Sequence, residues 1–322
     1  MSAEGTRPAG SRQGSGFQGF AWIVLAVNLG VILWGAFVRA SGSGAGCGSH
    51  WPLCNGAIVP QDPSQATVIE FVHRFGSALA LALVVALWIW SERRFARGGA
   101  ARRWARVATA LIVLEAIVGA GLVLNRWVGD DASAARAVTI AVHLVLTYAL
   151  LASLTLVMWS GSPRPRSAIP PSIPVSIAVG LVAGMALLGV SGALTALGDT
   201  LFPPGSLAQG VAQDISPGGN MLLRIRLVHP LLALIVVGGG VVWADKRRRS
   251  VDNTPATWRL TLLRGILLVQ LAAGAANVLL LAPVWLQILH LFLADVVWIL
   301  LILCLAEAPV GKAELASASV TA

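Results

Sequence analysis

Eight long apolar stretches alternate with short polar stretches along most of the chain. A helix needs about 20 apolar residues to cross a bilayer, and each stretch reaches roughly that length. In lipid the backbone must satisfy its own hydrogen bonds, so these stretches are predicted to be helices. The predicted spans are Ala21–Val38, Ile69–Trp90, Trp104–Leu124, Val138–Trp159, Val175–Leu197, Met221–Trp243, Leu260–Leu281 and Val284–Leu305.

The composition agrees with this pattern. Hydrophobic residues make up 57% of the chain and charged residues 11%, and the mean hydropathy is +0.79. Such a composition is typical of an integral membrane protein. The predicted fold class is therefore an all-α integral membrane protein with eight transmembrane helices.

Positive charge is concentrated in alternate loops. The loop 91–106 carries six arginines, residues 246–249 read KRRR, and SPRPRS joins the fourth and fifth spans. The intervening loops contain little Lys or Arg, with Arg126 and Arg136 as the clear exceptions. The positive-inside rule then places both termini in the cytoplasm. The Lys and Arg residues of these cytoplasmic loops explain the net charge of +9, so no nucleic-acid partner is expected.

Four of the five histidines lie at matching depths in alternate spans. They are His73, His143, His229 and His290, whereas His50 lies in a loop. A polar ring in an apolar span is costly, so it usually has a function. Two imidazoles from facing helices suit the two axial positions of a haem iron. The sequence predicts two haem sites, one held by His73 and His143 and the other by His229 and His290.

The two halves of the chain repeat at a nearly constant offset. His229 follows His73 by 156 positions, Gly192 follows Gly35 by 157, and Gly274 follows Gly119 by 155. His290 follows His143 by 147 positions, because the last outer loop is shorter. This predicts two duplicated four-helix bundles. The predicted organisation is a cytoplasmic tail at 1–18, bundles at 19–160 and 174–306, a cytoplasmic linker at 161–173, and a second cytoplasmic tail at 307–322.

The first outer loop contains two cysteines in AGCGSHWPLCNG. Cys47 and Cys54 face the oxidising side in the predicted topology, where disulfides persist. A disulfide is the favoured interpretation. Two free thiols, or a metal site that includes His50, are the alternatives.

The two histidine pairs differ in the residue that lies three positions before the first histidine of each pair. Glu70 lies three positions before His73, on the same helix face. It is interpreted as an acid or base at a porphyrin edge, or alternatively as a solvated interfacial charge. Its repeat counterpart is Arg226, which cannot act as a base. Arg226 is interpreted as a partner of a haem propionate, or alternatively as a snorkelling residue at the interface.

Four more polar residues lie within or at the end of spans. Glu115 and Gln270 occupy matching positions, and Asp295 lies five residues after His290. Each is interpreted as an interhelical hydrogen-bonding group or as part of a proton path. Arg39 is expected to neutralise a propionate in the first site or to anchor its helix at the interface.

The segment FVRASGSGAGCGSHWPLCNG, followed by EFVHR, resembles the haem A synthase family. The resemblance implies a bacterial cell-membrane enzyme that oxidises the C8 methyl of haem O to a formyl group, giving haem A for terminal oxidases. It implies that His229 and His290 hold a haem b, that His73 and His143 serve the haem O site, and that Glu70 is the acidic catalytic residue. Unlike many bacterial members of the family, the chain has no cysteine pair between the fifth and sixth spans.

The resemblance also implies partners. They are haem O synthase, terminal oxidase assembly, membrane lipid and an electron partner that the sequence does not identify. Two other functions fit parts of the pattern. A bis-histidine di-haem cytochrome taking electrons from quinol needs the same histidines, and a transporter would use them in a proton path.

Overall fold

The structure, a computed structural model, describes residues 10–162, 173–250, 255–307 and 310–311. Most of the predicted linker at 161–173 and of the C-terminal tail lies outside the described residues, as do positions 1–9 of the N-terminal tail. The helices are α1 (Gly10–Ala40), α2 (Gln65–Arg94), α3 (Ala100–Leu124), α4 (Ala134–Gly161), α5 (Val175–Leu201), α6 (Leu207–Asp214), α7 (Met221–Arg249), α8 (Pro255–Leu279) and α9 (Val284–Glu307).

Eight of the described helices are long and apolar enough to cross a membrane, which confirms the predicted spans. Most extend beyond the apolar stretches, because polar residues cap and continue a helix outside lipid. The Ser64 hydroxyl, for example, accepts the Thr67 N–H at the start of α2. The short helix α6 was not predicted, and it lies in the outer loop between α5 and α7.

The transmembrane helices α4 and α9 form the centre of the bundle. Half of the apolar window of α9 and 44% of that of α4 are buried, against 28% or less for the other described spans. The two helices pack on each other, and α4 also contacts α5, so the two predicted halves meet here. Side chains such as Leu151, Leu154 and Val297 fill this contact.

Within each half the neighbours follow the same order. Helix α1 packs on α2, α2 on α3 and α3 on α4, while α5 packs on α7, α7 on α8 and α8 on α9. Two short strands, β1 (Ile173–Pro174) and β2 (Val310–Gly311), pair in parallel beside the start of α5 and the end of α9. Large apolar side chains such as Leu187 and Ile235 are exposed on the outside of the bundle, as expected for a lipid-facing surface.

Candidate functional site

All four transmembrane histidines line one cavity of about 1810 Å³. They come from α2, α4, α7 and α9, as the matched depths predicted. Each predicted pair faces this cavity from two helices of the same half, α2 and α4 for His73 and His143, and α7 and α9 for His229 and His290. Single small-molecule sites usually enclose about 300–1,000 Å³. The cavity is large enough for two porphyrin-sized groups.

Glycines on neighbouring helices make room for three of the four imidazoles. A Cβ at Gly35 would lie 2.8 Å from the His73 Cε1 atom, and one at Gly192 would lie 2.9 Å from the His229 Cε1 atom. A Cβ at Gly274 would lie 3.1 Å from the His290 Cε1 atom. Two of these glycines are matched by the repeat offset, so the same close approach of ring to helix backbone recurs in both halves.

Two histidines have their Nδ1 atoms engaged by the protein. The Ser191 hydroxyl lies 2.9 Å from the His229 Nδ1 atom, and the Glu115 carboxylate lies against the His143 Nδ1 atom without hydrogen-bond geometry. A partner on one ring nitrogen fixes the orientation of an axial ligand and leaves Nε2 for the iron. This arrangement therefore fits a haem in each half.

The other two histidines are held less firmly. The Nδ1 atoms of His73 and His290 are buried without a hydrogen-bond partner, and the Gln270 amide nitrogen lies 3.4 Å from the His290 Nε2 atom. No group of three or more His, Cys, Asp or Glu side chains converges anywhere in the described ranges. A haem iron takes only two axial protein ligands, so each histidine pair could supply both.

The predicted disulfide is confirmed. Cys47 and Cys54 are bonded with an S–S distance of 2.05 Å, and both are buried. The bond excludes free thiols and a thiolate metal site at these positions. Residues of the same loop, including Trp51 and Ile58, line the cavity, so the loop forms part of its outer wall.

Glu70 joins this loop to α2. Its Oε2 atom accepts the Cys47 N–H at 2.8 Å, and its Oε1 atom accepts from the Arg74 guanidinium at 2.5 and 3.1 Å. Arg74 also donates to the carbonyl oxygens of His50 and Leu53. Glu70 is only 3% exposed and lines the cavity, so the alternative of a solvated interfacial charge is wrong.

Arg226 occupies the corresponding place in the second half with the opposite charge. Its guanidinium lies 2.9 Å from the Asp199 carboxylate and 3.4 Å from that of Asp214, and it donates to the carbonyl oxygens of Gly198 and Phe202. It is buried, so the snorkelling alternative is wrong. Contact with a propionate stays a prediction, because these donors already serve the loop that carries α6.

Helix α6 brings an acidic group to this cluster. Burial raises the pKa of Asp214, and the neighbouring Arg226 guanidinium opposes that rise. Glu70 and Arg226 therefore have related structural roles. Each one connects a loop to the helix that carries a histidine of its half.

Arg39 reaches from the first half into the second. Its guanidinium donates to the Ala196 carbonyl at 2.6 Å, the Thr200 hydroxyl at 2.8 Å and the Gln287 side-chain oxygen at 3.1 Å. Arg136 donates to the carbonyl oxygens of Gly129 and Asp131. Both arginines line the cavity, and the hydrogen bonds named here are to neutral acceptors.

Several contributors were not predicted from the sequence. Arg74 could have been found from its four-residue spacing from Glu70, which places the two side chains on one helix face. Ser191 and Arg136 carry no comparable local signal, because their roles depend on which helices pack together.

Residues 18–302 match the COX15-CtaA family, described as cytochrome oxidase assembly protein. The chain is 46% identical over 298 residues to a protoheme IX farnesyltransferase of Thermus thermophilus. The matched stretch covers 92% of this chain and 48% of that protein. The chain thus spans about half the length of this relative. It is 30% identical over 318 residues to a heme A synthase of Symbiobacterium thermophilum, covering 90% of this chain and 95% of that protein. A heme A synthase of Alkalihalophilus pseudofirmus is 41% identical over 96 residues, covering 29% of this chain and 32% of that protein.

Proposed function

We propose a function from one premise: the chain belongs to the COX15-CtaA family of cytochrome oxidase assembly proteins. The proposed function is in haem A biosynthesis. Its reaction is the oxidation of the C8 methyl group of haem O to a formyl group, which yields haem A for terminal oxidases. The observation that carries this proposal is one cavity lined by two histidine pairs and by the buried carboxylate of Glu70, three residues before His73.

The names of the relatives differ, and the extent of each similarity accounts for the difference. The match covers nearly all of the Symbiobacterium heme A synthase but only about half of the Thermus farnesyltransferase. The shared portion therefore corresponds to a whole heme A synthase. The farnesyl-transfer activity in the name of the Thermus protein belongs, in this proposal, to the half that this chain does not match.

The two histidine pairs have different tasks in the proposal. His229 and His290 hold a resident haem b, and His73 and His143 hold haem O during its conversion to haem A. The bound porphyrin iron supplies the redox chemistry. The protein orients each ring through its histidines, through Ser191 in the second half, and through Glu115 in the first.

Glu70 is the proposed acidic catalytic residue. Its carboxylate lines the cavity three residues from His73 and is held by the Cys47 N–H and by Arg74. From this position it can take up a proton released as the methyl carbon is oxidised, or stabilise positive charge that develops there. The disulfide loop excludes water from this side. Arg39 and Arg136 supply positive charge for propionates at the cavity wall.

The proposal also covers the organisation of the chain, its orientation and its partners. The bundles at 19–160 and 174–306 form the substrate half and the haem b half, and the protein lies in the bacterial cell membrane with both termini in the cytoplasm. Haem O synthase would supply its substrate, and terminal oxidase assembly would take its product. An electron partner completes the reaction.

Haem analysis after expression in a host that makes haem O would test the function. The expected result is haem A, recognised by its formyl-shifted pyridine hemochrome and its mass, in cells with the chain and not in cells without it. A His73→Ala variant should abolish conversion while retaining haem b. Protein that binds two haems but never yields haem A would support the di-haem cytochrome instead. Purified protein without a Soret band would favour a transporter.

A further inference from the structure

Asp295 is a carboxyl group buried in the middle of a membrane-spanning helix. It is 0% exposed, and neither of its side-chain oxygens has a hydrogen-bond partner in the described part of the chain. An unpaired carboxylate in an apolar interior is so unfavourable that the group takes up a proton instead. Acidic residues at such depth are rare and usually functional. No step described above uses Asp295.

The residue lies where the two halves meet. It belongs to α9, which packs on α4, and it follows His290 by five positions. Five residues of helix rise about 7.5 Å, so Asp295 lies about two turns at most from a proposed iron ligand. On α4, five positions after His143, is Tyr148, the only tyrosine of the sequence. Asp295 and Tyr148 are therefore counterparts under the same 147-residue offset that relates the two histidines.

Tyr148 connects Asp295 to the cavity. Trp298, three residues after Asp295 on α9, stacks on the Tyr148 ring, and Tyr148 lines the cavity whereas Asp295 does not. The tyrosine is held in place. Its ring stacks on Trp298 with centroids 4.6 Å apart, and the Trp298 indole N–H donates to the Tyr148 carbonyl at 2.8 Å. A Cβ at Gly189 would lie 2.7 Å from the Tyr148 hydroxyl oxygen, so α5 also packs directly against it.

Other polar groups on the helices around α9 are already engaged. These helices are α1, α4, α5 and α8. Their charged side chains bond elsewhere: Arg39 to Ala196, Arg136 to Gly129, Asp199 to Arg226, Arg259 to Glu307 and Arg264 to Asp245. The buried polar side chains Asn28, Ser191 and Gln270 are neutral, and His143 contacts Glu115. Tyr148 is thus the titratable group on these helices that is placed to exchange a proton with Asp295.

We propose that Asp295 is a proton site shared by the two halves of the cavity, with the Tyr148 hydroxyl carrying its proton to and from the cavity. After a turn of the Asp295 side chain, its O–H donates a proton to the Tyr148 oxygen as the Tyr148 O–H proton passes to a water molecule in the cavity, which becomes hydronium. Asp295 becomes a carboxylate and Tyr148 is unchanged. The reverse transfer restores both. A positive charge gained at a histidine pair favours the first direction, because charges interact strongly in a low-dielectric interior.

The proposal rests on the proposed function only in assuming that the histidine pairs bind haem. A purely structural role predicts something different. An unpaired buried polar group costs stability, and an apolar residue of similar volume should then be neutral or better. Asp295→Leu would in that case fold with a raised Tm and keep full function.

Redox-induced infrared difference spectroscopy on the haem-loaded protein tests the proposal. Dithionite and ferricyanide would serve as external reductant and oxidant, and Asp295→Asn, Asp295→Leu and Tyr148→Phe would be compared with the unaltered chain. Thr155→Val, a change at a buried α4 position whose hydroxyl bonds only the Leu151 carbonyl, is the control. A protonated-carboxyl band should appear in the unaltered chain and in the control and be absent from both Asp295 variants. In Tyr148→Phe the band should exchange with heavy water at least tenfold more slowly.

A second readout is the pH dependence of the haem midpoint potentials, which should be smaller in Asp295→Asn than in the control. Asn has nearly the size of Asp, so this variant carries the test if the Leu variant fails to fold. A missing carboxyl band in the unaltered chain, or identical pH dependence in Asp295→Asn, would overturn the proposal. Neither readout requires conversion of haem O. A normal infrared response without haem A formation would therefore reject the proposed function and leave the proton site standing.

Discussion

The Glu115 carboxylate of α3 contacts the Nδ1 atom of His143 on α4, and the Thr147 hydroxyl donates to the same carboxylate at 2.9 Å. In the second half the corresponding residue is Gln270, whose amide nitrogen approaches the opposite ring atom, Nε2 of His290. The two halves thus hold equivalent histidines through different ring nitrogens. Under the proposed function, this difference bears on which haem is resident and which is exchanged.

Removing the charge of Glu115 should weaken the first site. Glu115→Gln keeps the size of the side chain but replaces the carboxylate that contacts the His143 Nδ1 atom. Loss of such a partner typically costs 10–100-fold in metal affinity, and we expect a similar loss of haem affinity in the first half. Haem titration followed by absorbance would measure it. Gln270→Ala, which removes a weaker 3.4 Å contact, is the matched control, and equal losses in both variants would contradict the assignment.

A methyl group at position 192 should displace His229. In Gly192→Ala the new Cβ would lie 2.9 Å from the His229 Cε1 atom, which is closer than packed carbon atoms tolerate. Overpacking of this kind costs about 1–3 kcal/mol, and we expect a lower haem b content in purified protein. Gly119→Ala is the control, since a Cβ there meets nothing within 4 Å. Full haem occupancy in Gly192→Ala would show that the ring can move without loss.

Glu70→Gln should stop haem O conversion while haem b remains bound. Because Glu70 also holds the disulfide loop, the variant should show faster hydrogen exchange at residues 43–59. Arg74→Gln separates the two effects, since it breaks the same 2.5 Å ion pair but leaves the carboxylate. Conversion that fails only in Glu70→Gln supports a chemical role. Equal failure in both variants would make loop anchoring the whole function of Glu70.

Arg226→Gln should destabilise the outer end of the second half. The change leaves the Asp199 carboxylate without its guanidinium partner, and breaking a buried ion pair costs about 3–5 kcal/mol. We expect a lower Tm, measured by thermal unfolding in detergent. Arg224→Gln, at an exposed position two residues away, should change stability by about 0.5 kcal/mol or less. An unchanged Tm in Arg226→Gln would show that the loop does not depend on this arginine.

The orientation can be tested by labelling intact cells. A cysteine at the exposed position Ser206 should react with an impermeant maleimide, and one at the exposed position Arg97 should not. The native cysteines give no background, because Cys47 and Cys54 are bonded and Cys304 is buried. Labelling of Arg97→Cys and protection of Ser206→Cys would reverse the topology.

The sequence by itself determined the eight spans and the depth of the histidines. Both are local properties: the thickness of a bilayer sets the length of an apolar helix, and the position of a residue in that helix sets its depth. The cysteine pairing was also predictable, because Cys47 and Cys54 share one short loop. The duplication remains a prediction from the spacing of a few residues.

Only the tertiary structure decided which atoms meet. Arg226 could be recognised as the counterpart of Glu70, but its bonds to Asp199 and to the carbonyls after α5 depend on the path of an outer loop that hydropathy does not describe. Arg39 was expected to neutralise a propionate in the first site or to anchor its helix, and its bonds to Ala196 and Thr200 could not be predicted, because they depend on α1 lying against α5. The sequence did not identify Tyr148 as a site residue, because a single aromatic residue in an apolar span is common. Its proposed role depends on the packing of α4 against α9, which stacks the Tyr148 ring on Trp298, three residues after Asp295.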